Sequence, residues 1–117
     1  MATIRITNLK LRAFIGTEIR ERKRKQKITV NIKIDFDETR PCESDDIKDA
    51  VDYQIITRAI IEKVENSRFF LIEKLAKAIL DIVMRHPLVR EATVRLDKPG
   101  AIRFADSVSV ELIKRRE

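Results

Sequence analysis

The chain predicts an α+β domain, a four-stranded antiparallel sheet with two helices on one face in the order β-β-α-α-β-β. Three observations carry this reading. Four segments alternate apolar and polar residues with period two, two segments between them repeat apolar residues at helical spacing, and each strand is apolar on one face only. A sheet with one apolar face needs cover on that side alone, and the two helices supply it. The 117 residues suffice for one domain, residues 1–117, with an ordinary core.

In the first strand, Ile4 and Ile6 alternate with Thr3, Arg5 and Thr7. The phase then slips so that Leu9 and Leu11 carry the next apolar positions, which predicts a bulge near Thr7-Asn8. The second strand sends Ile28, Val30, Ile32, Ile34 and Phe36 one way, with Thr29, Asn31, Lys33 and Asp35 opposite. Residues 39–52 form a polar connection, in which Ser44 or Asp45 caps a short turn. Ile55, Ile56, Ala59, Ile60 and Val64 then share one helix face. A second helix begins near Ser67 as its N-cap, with Ile72, Leu75, Ala76, Ile79, Leu80 and Val83 as its apolar arc; Pro87 stops it. Ala92, Val94 and Leu96 define the third strand, and Val108, Val110 and Leu112 the fourth. Thr29, Asn31, Thr93, Ser107 and Ser109 make the other sheet face small and polar, as suits packing against another copy or lining a tunnel.

Composition narrows the function classes. The single Cys42 excludes an internal disulfide and fits a reducing compartment. With His86 as the only histidine, the ligands for a Cys/His zinc site are lacking. The N-terminus enters strand pattern at once, without a signal-peptide core, and no transmembrane run follows, so a cytoplasmic protein is expected. The net charge of +6 raises nucleic acid as a partner, and Arg20, Arg22, Lys23, Arg24, Lys25 and Lys27 concentrate it. No aromatic interleaves that run and no helix-turn-helix accompanies it, which argues against nucleic acid. A solvated loop or a site for a phosphorylated small molecule remains.

Three residues stand out for chemistry. Lys98 keeps step with Ala92, Val94 and Leu96, so it lies on the strand face that should be buried, before Pro99 and Gly100 end the strand. Lost hydration there favours a neutral lysine ready for proton transfer; a snorkelling lysine is the alternative. Glu73 sits at the edge of the second helix's apolar arc, as a boundary carboxylate or as an acceptor for the N–H groups of a heterocycle. Tyr53 is the only tyrosine, either a helix-start residue or a phenol that moves a proton.

Several motifs in order resemble the dihydroneopterin aldolase family, which includes dihydroneopterin triphosphate epimerase. They are Phe14-Ile15-Gly16 followed by Glu21 and Gln26; Ser44-Asp45-Asp46 with Asp49; Val51-Asp52-Tyr53; Glu65-Asn66-Ser67-Arg68-Phe69 with Leu71-Ile72-Glu73-Lys74-Leu75; and Lys98-Pro99-Gly100-Ala101. The resemblance implies a T-fold subunit, rings of four subunits closing a β-barrel, two rings stacked as an octamer, and active sites between neighbours. It implies Glu73 as the anchor of a dihydropterin, Lys98 as the proton-transfer residue, Glu21 beside it, and Tyr53 contributed by the adjacent subunit. Leu71, Ile72, Val51 and Asp52 join the substrate-binding residues on the same basis. Neither metal nor cofactor is implied, because the conjugated imine of the dihydropterin accepts the electrons when the side-chain carbon–carbon bond breaks. Lys98-Pro99-Gly100-Ala101 has the aldolase form, pointing to cleavage of dihydroneopterin into hydroxymethyl-dihydropterin and glycolaldehyde in folate biosynthesis, with epimerisation as a companion reaction. Arg103-Phe104-Ala105-Asp106-Ser107-Val108-Ser109 and Ile4-Arg5-Ile6-Thr7-Asn8-Leu9 resemble the epimerase branch, of tetrahydromonapterin biosynthesis, and the cations at 20–27 suit a triphosphate. A non-catalytic pterin-binding module is the alternative of another class.

Overall fold

Segments rich in isoleucine and valine at period two form long strands, and one sheet takes all of them. The computed structural model describes residues 1–117. Strands β1 (Ala2–Ile15), β2 (Gln26–Phe36), β4 (Val89–Pro99) and β5 (Ser107–Arg115) pair antiparallel in that order. A fifth strand, β3 (Arg68–Phe69), pairs parallel with Phe14 and Ile15, giving the order β3-β1-β2-β4-β5. Helices α1 (Ile19–Lys23), α2 (Thr39–Ser44), α3 (Tyr53–Glu65) and α4 (Ile72–Met84) complete the chain, with a 3-10 turn at Ile47–Asp49.

The four long strands and two long helices match the sequence expectation; the fifth strand and two short helices correct it. A two-residue strand has no periodicity to read, so β3 leaves no signal. It also displaces the start of α4. Arg68 and Phe69 are extended, so Leu71 rather than Ser67 stands at the N-cap, with no side-chain cap bond. Ser44 Oγ accepts the Asp46 N–H at 3.2 Å as the chain turns out of α2, but the N-cap of the next turn is Asp46 rather than Ser44 or Asp45. Asp45 ends α2 with φ of 55°, and Asp46 caps the following turn by accepting the Lys48 N–H at 3.0 Å. The basic stretch after residue 20 includes α1, not a plain loop.

The predicted bulge is present. The β1–β2 register shifts between Ile6 and Leu9, and Asn8 has φ of 54°, a region asparagine tolerates. Asn8 N–H donates to Asn31 Oδ1 at 2.9 Å, and Asn31 Nδ2 returns a bond to Asn8 Oδ1 at 3.2 Å. One pair of amides thus satisfies the bulge from the neighbouring strand.

The core lies between the sheet and α3 and α4. Ile28, Val30, Ile32 and Ile34 of β2, with Ala92, Val94 and Leu96 of β4, are almost wholly buried against Ile56, Ile60 and Val64 of α3 and Leu75, Ile79 and Val83 of α4. Full burial of each such aliphatic side chain is worth about 1.5–3 kcal/mol. Ile55, expected on this face, is 60% exposed. One residue advances a helix by about 100°, so the Ile56–Ile60–Val64 stripe turns Ile55 outward. The far sheet face is an open concavity lined by Thr29, Asn31, Thr93 and Ser107 among charged neighbours. No helix is long and apolar enough to cross a membrane.

The C-terminal end ties the layers together through Arg116, which donates to the carbonyls of Met84 at 2.5 Å, Val89 at 2.8 Å and His86 at 3.1 Å. These carbonyls lie at the end of α4 and in the turn into β4, where helix carbonyls lack intrahelical partners. Arg116→Ala should lower unfolding free energy by about 1–3 kcal/mol, and Arg116→Lys should recover only part, since a single ammonium cannot span the fork. Urea midpoints of the three proteins check this; an unchanged midpoint for the alanine variant contradicts it.

Candidate active site

Lys98 and Pro99 close the β4–β5 ladder opposite Val108 and Ser107. Beyond them Gly100 takes φ of 69° and donates its N–H to the Asp106 carbonyl at 3.1 Å. Asp97, one residue earlier, accepts from Ser107 Oγ at 2.9 Å and Arg95 Nε at 3.1 Å, which pins the strand end. The backbone under Lys98 is therefore fixed on both sides.

The lysine is not the lone desolvated amine anticipated from the sequence. Lys98 Nζ donates to Glu21 Oε2, and the two side chains are 13% and 17% exposed. The site holds an ion pair. The hydrogen bond from Lys98 lowers the Glu21 pKa below the usual carboxylate range, against the opposing effect of burial.

Glu21 belongs to α1, which buries none of its residues. Its side chain is placed by two backbone features. Oε1 accepts the Glu18 N–H at 3.3 Å. Gly16 is buried with φ of 137°, and a Cβ built there would run into the Glu21 side chain. Gly16 is a positioning residue that sequence reasoning quoted only as part of a motif. A glycine ending a strand five residues before a glutamate was the available signal. The cleft around the pair is also lined by Arg20, Lys23, Arg24 and Gln26.

Glu73 lies in the first turn of α4 and is exposed, as a carboxylate at the edge of the apolar arc. Leu71 is 53% exposed and Ile72 half-buried. This segment is anchored beside the ion pair: the Gly16 N–H donates to the Phe69 carbonyl at 3.1 Å, four residues before Glu73. Tyr53, also 53% exposed, opens α3 after Asp52, whose side chain accepts the N–H groups of Gln54 and Ile55. Val51 is buried beneath them.

The two helix starts point to opposite ends of the molecule. Burial lowers the His86 pKa, and the nearby Asp52 carboxylate opposes that shift. Asp52 thus sits toward the His86 end of α4, away from Glu73, and the 13 residues of that helix span about 20 Å. One chain brings together Lys98, Glu21 and the start of α4. It leaves Val51, Asp52 and Tyr53 apart from them. No three His, Cys, Asp or Glu side chains form a metal-binding group, and Cys42 is exposed.

Known proteins are similar to this chain over nearly its whole length. The family model described as dihydroneopterin aldolase (FolB) matches residues 4–113. A dihydroneopterin triphosphate 2′-epimerase of Pseudomonas aeruginosa is 46% identical over 116 residues, covering 99% of this chain and 94% of its own. A dihydroneopterin aldolase of Escherichia coli is 30% identical over 113 residues, covering 94% and 90%. The crystal structure of an E. coli dihydroneopterin aldolase in complex with neopterin superposes with a TM-score of 0.92 at 27% identity, covering 97% of this chain and 99% of that one.

Acidification should reveal the ion pair. A carboxylate with a lowered folded pKa stabilises the fold above its unfolded pKa, and loses that contribution as pH falls through the folded value. Glu21→Gln should therefore cost about 1.5–3 kcal/mol at pH 7. The gap from wild type should begin to narrow as pH drops below the ordinary carboxylate range of about 4, and shrink further toward the lowered folded value. Urea titrations across pH 7 to 3 give the difference; a gap that stays constant with pH contradicts the pairing.

Proposed function

The chain belongs to the dihydroneopterin aldolase family, and on that premise we propose that this enzyme inverts the 2′-carbinol of dihydroneopterin triphosphate. The carrying observation is the identity of 46% to a triphosphate 2′-epimerase against 30% to an aldolase, both over nearly the full chain. This reverses the order expected from the sequence motif. Lys98-Pro99-Gly100-Ala101 serves bond cleavage, which both activities share, so it cannot distinguish them.

The chemistry rests on the Lys98–Glu21 pair. Lys98, in its free-amine form, takes the proton off the 2′-hydroxyl and becomes the ammonium that Glu21 holds. As the C1′–C2′ bond breaks, C2′ becomes an aldehyde carbon and the electron pair flows into the conjugated imine of the dihydropterin. Rotation of the retained aldehyde presents its other face. C1′ then attacks that face, the bond re-forms, and the proton returns to the 2′-oxygen with C2′ inverted. Glu21 fixes the Lys98 ammonium and offsets its charge. Glu73 accepts the N–H donors of the pterin ring, with Leu71 and Ile72 beside it. Tyr53, with Val51 and Asp52, comes from an adjacent subunit and holds the intermediate's C1′ side.

The same geometry supports assembly into a ring. Tyr53 and Glu73 belong to opposite ends of one chain, so their convergence needs a second copy. β5 leaves a nine-residue open edge, and β3 covers only Phe14 and Ile15 of the opposite edge, β1. Closing four such sheets into a ring removes both edges, and places the small polar face inside the barrel. Two rings stacked give the octamer. The cytoplasm is the compartment that fits the single exposed Cys42.

Aldolase activity is the second reading, favoured by the Lys98-Pro99-Gly100-Ala101 motif and by the shared cleavage step. Incubation of the purified protein with dihydroneopterin triphosphate, followed by dephosphorylation and chromatography of the pterins, should yield the monapterin epimer in excess of hydroxymethyl-dihydropterin. Hydroxymethyl-dihydropterin as the main product restores the aldolase reading. Lys98→Ala should lose both products together by roughly 10²–10⁴-fold in turnover, whereas Glu73→Gln should weaken pterin binding by about 1.5–3 kcal/mol. Near-full turnover in the Lys98→Ala protein contradicts the assignment.

A further inference from the structure

Resting on the epimerase reading, we propose that Arg20, Lys23 and Arg24 form the wall that binds the triphosphate and sets the preference for phosphorylated substrate. The cations of this stretch are not equivalent. Residues 20, 23 and 24 are spaced i, i+3 and i+4 along α1 and its C-cap, which sets them on one side, and all three line the cleft that contains Lys98 and Glu21. Lys27 lines a separate cleft, and the other two are engaged elsewhere. The Arg22 guanidinium lies 5.8 Å from the Phe70 ring, and its carbonyl accepts Arg68 Nη1 at 2.9 Å. Lys25 lies 5.8 Å from the Phe14 ring.

Charge within the cleft favours a polyanion. Lys98 is offset by Glu21, and Arg20 by Glu18 at 3.0 Å. Lys23 and Arg24 have no carboxylate partner among the ion pairs of the chain, so the cleft keeps two uncompensated positive charges. Arginine presents a planar fork that matches phosphate oxygens, and lysine supplies a point charge.

Substrate connectivity demands this side. The triphosphate begins at the 3′-oxygen, one carbon beyond the 2′-carbinol that Lys98 serves. The phosphates must therefore lie within a few bonds of Lys98, away from the pterin end at Glu73. Among the residues lining the cleft with Lys98, the cations are these three. Unphosphorylated dihydroneopterin reaches none of them, so the wall acts on selectivity and leaves bond cleavage to Lys98.

The test compares wild type with Lys23→Ala/Arg24→Ala, and separately Arg20→Ala, by the ratio of kcat/KM for dihydroneopterin triphosphate to that for dihydroneopterin. The double variant should lower this ratio roughly 10–100-fold through KM, a tenfold change being about 1.4 kcal/mol. Arg20→Ala should lower it less, because that guanidinium is already shared with Glu18. An unchanged ratio, including one produced by equal losses on both substrates, overturns the proposal. Should wild type epimerise neither substrate, the reading of function falls, and titration calorimetry with inorganic triphosphate still decides the wall. Binding by wild type and none by the double variant supports it; equal binding by both, or by neither, overturns it.

Discussion

The ion pair between Glu21 and Lys98 joins the one weakly packed segment near the site to the rigid sheet. Helix α1 contributes nothing to the core, and its surface is mostly charge. Its partly buried tie to the body of the protein is the Glu21 side chain, held between the Gly16 backbone and the Lys98 ammonium. The position of the cationic cleft wall depends on that contact, as does the orientation of Nζ. The pair's side chains are 13% and 17% exposed, so it differs from a surface pair, which is worth about 0–1 kcal/mol. It is also less forgiving, since removal of one partner leaves the other partly buried and unmatched.

Around that contact the fold separates rigidity from chemistry. β2 and β4 run through the centre of the sheet with both edges paired, and their inward aliphatic side chains meet α3 and α4 in one continuous core. Candidate functional groups sit where these elements begin or end: Lys98 at the close of β4, Glu73 at the start of α4, Tyr53 at the start of α3. Such positions are held by the scaffold while the side chains remain free to face a ligand. The antiparallel run of α3 and α4 sends Tyr53 away from the other two.

Features that repeat were legible in the sequence, and features of one or two residues were not. Alternation revealed four strands and the slip at Asn8, because each strand is long enough to establish phase. β3 is too short for phase, yet it moves the start of α4 from Ser67 to Ile72. Ile55 looked like core because helical spacing alone does not say where the buried stripe ends. The period-two register places Lys98 at a partly buried strand end, whereas its carboxylate partner, 77 residues away in sequence, is legible only through the family resemblance. Gly16 and Arg116 act through backbone geometry and backbone carbonyls, which leave no periodic trace. The Lys98-Pro99-Gly100-Ala101 motif belongs to the cleavage step that both activities of the family share, so it cannot order them; the identities of 46% and 30% favour the epimerase alternative.

The central claim is that the Lys98–Glu21 site removes the hydroxyl proton at C2′ and never the carbon-bound one. Dihydroneopterin triphosphate carrying deuterium on C2′ tests this most directly, with the epimer recovered from ordinary water and analysed by mass spectrometry. Cleavage and re-addition keep the C2′ hydrogen on carbon throughout, as the aldehyde hydrogen of the retained fragment. The epimer should therefore retain its deuterium fully. Loss of the label to solvent in step with inversion would mean that C2′ itself is deprotonated, and would contradict the account.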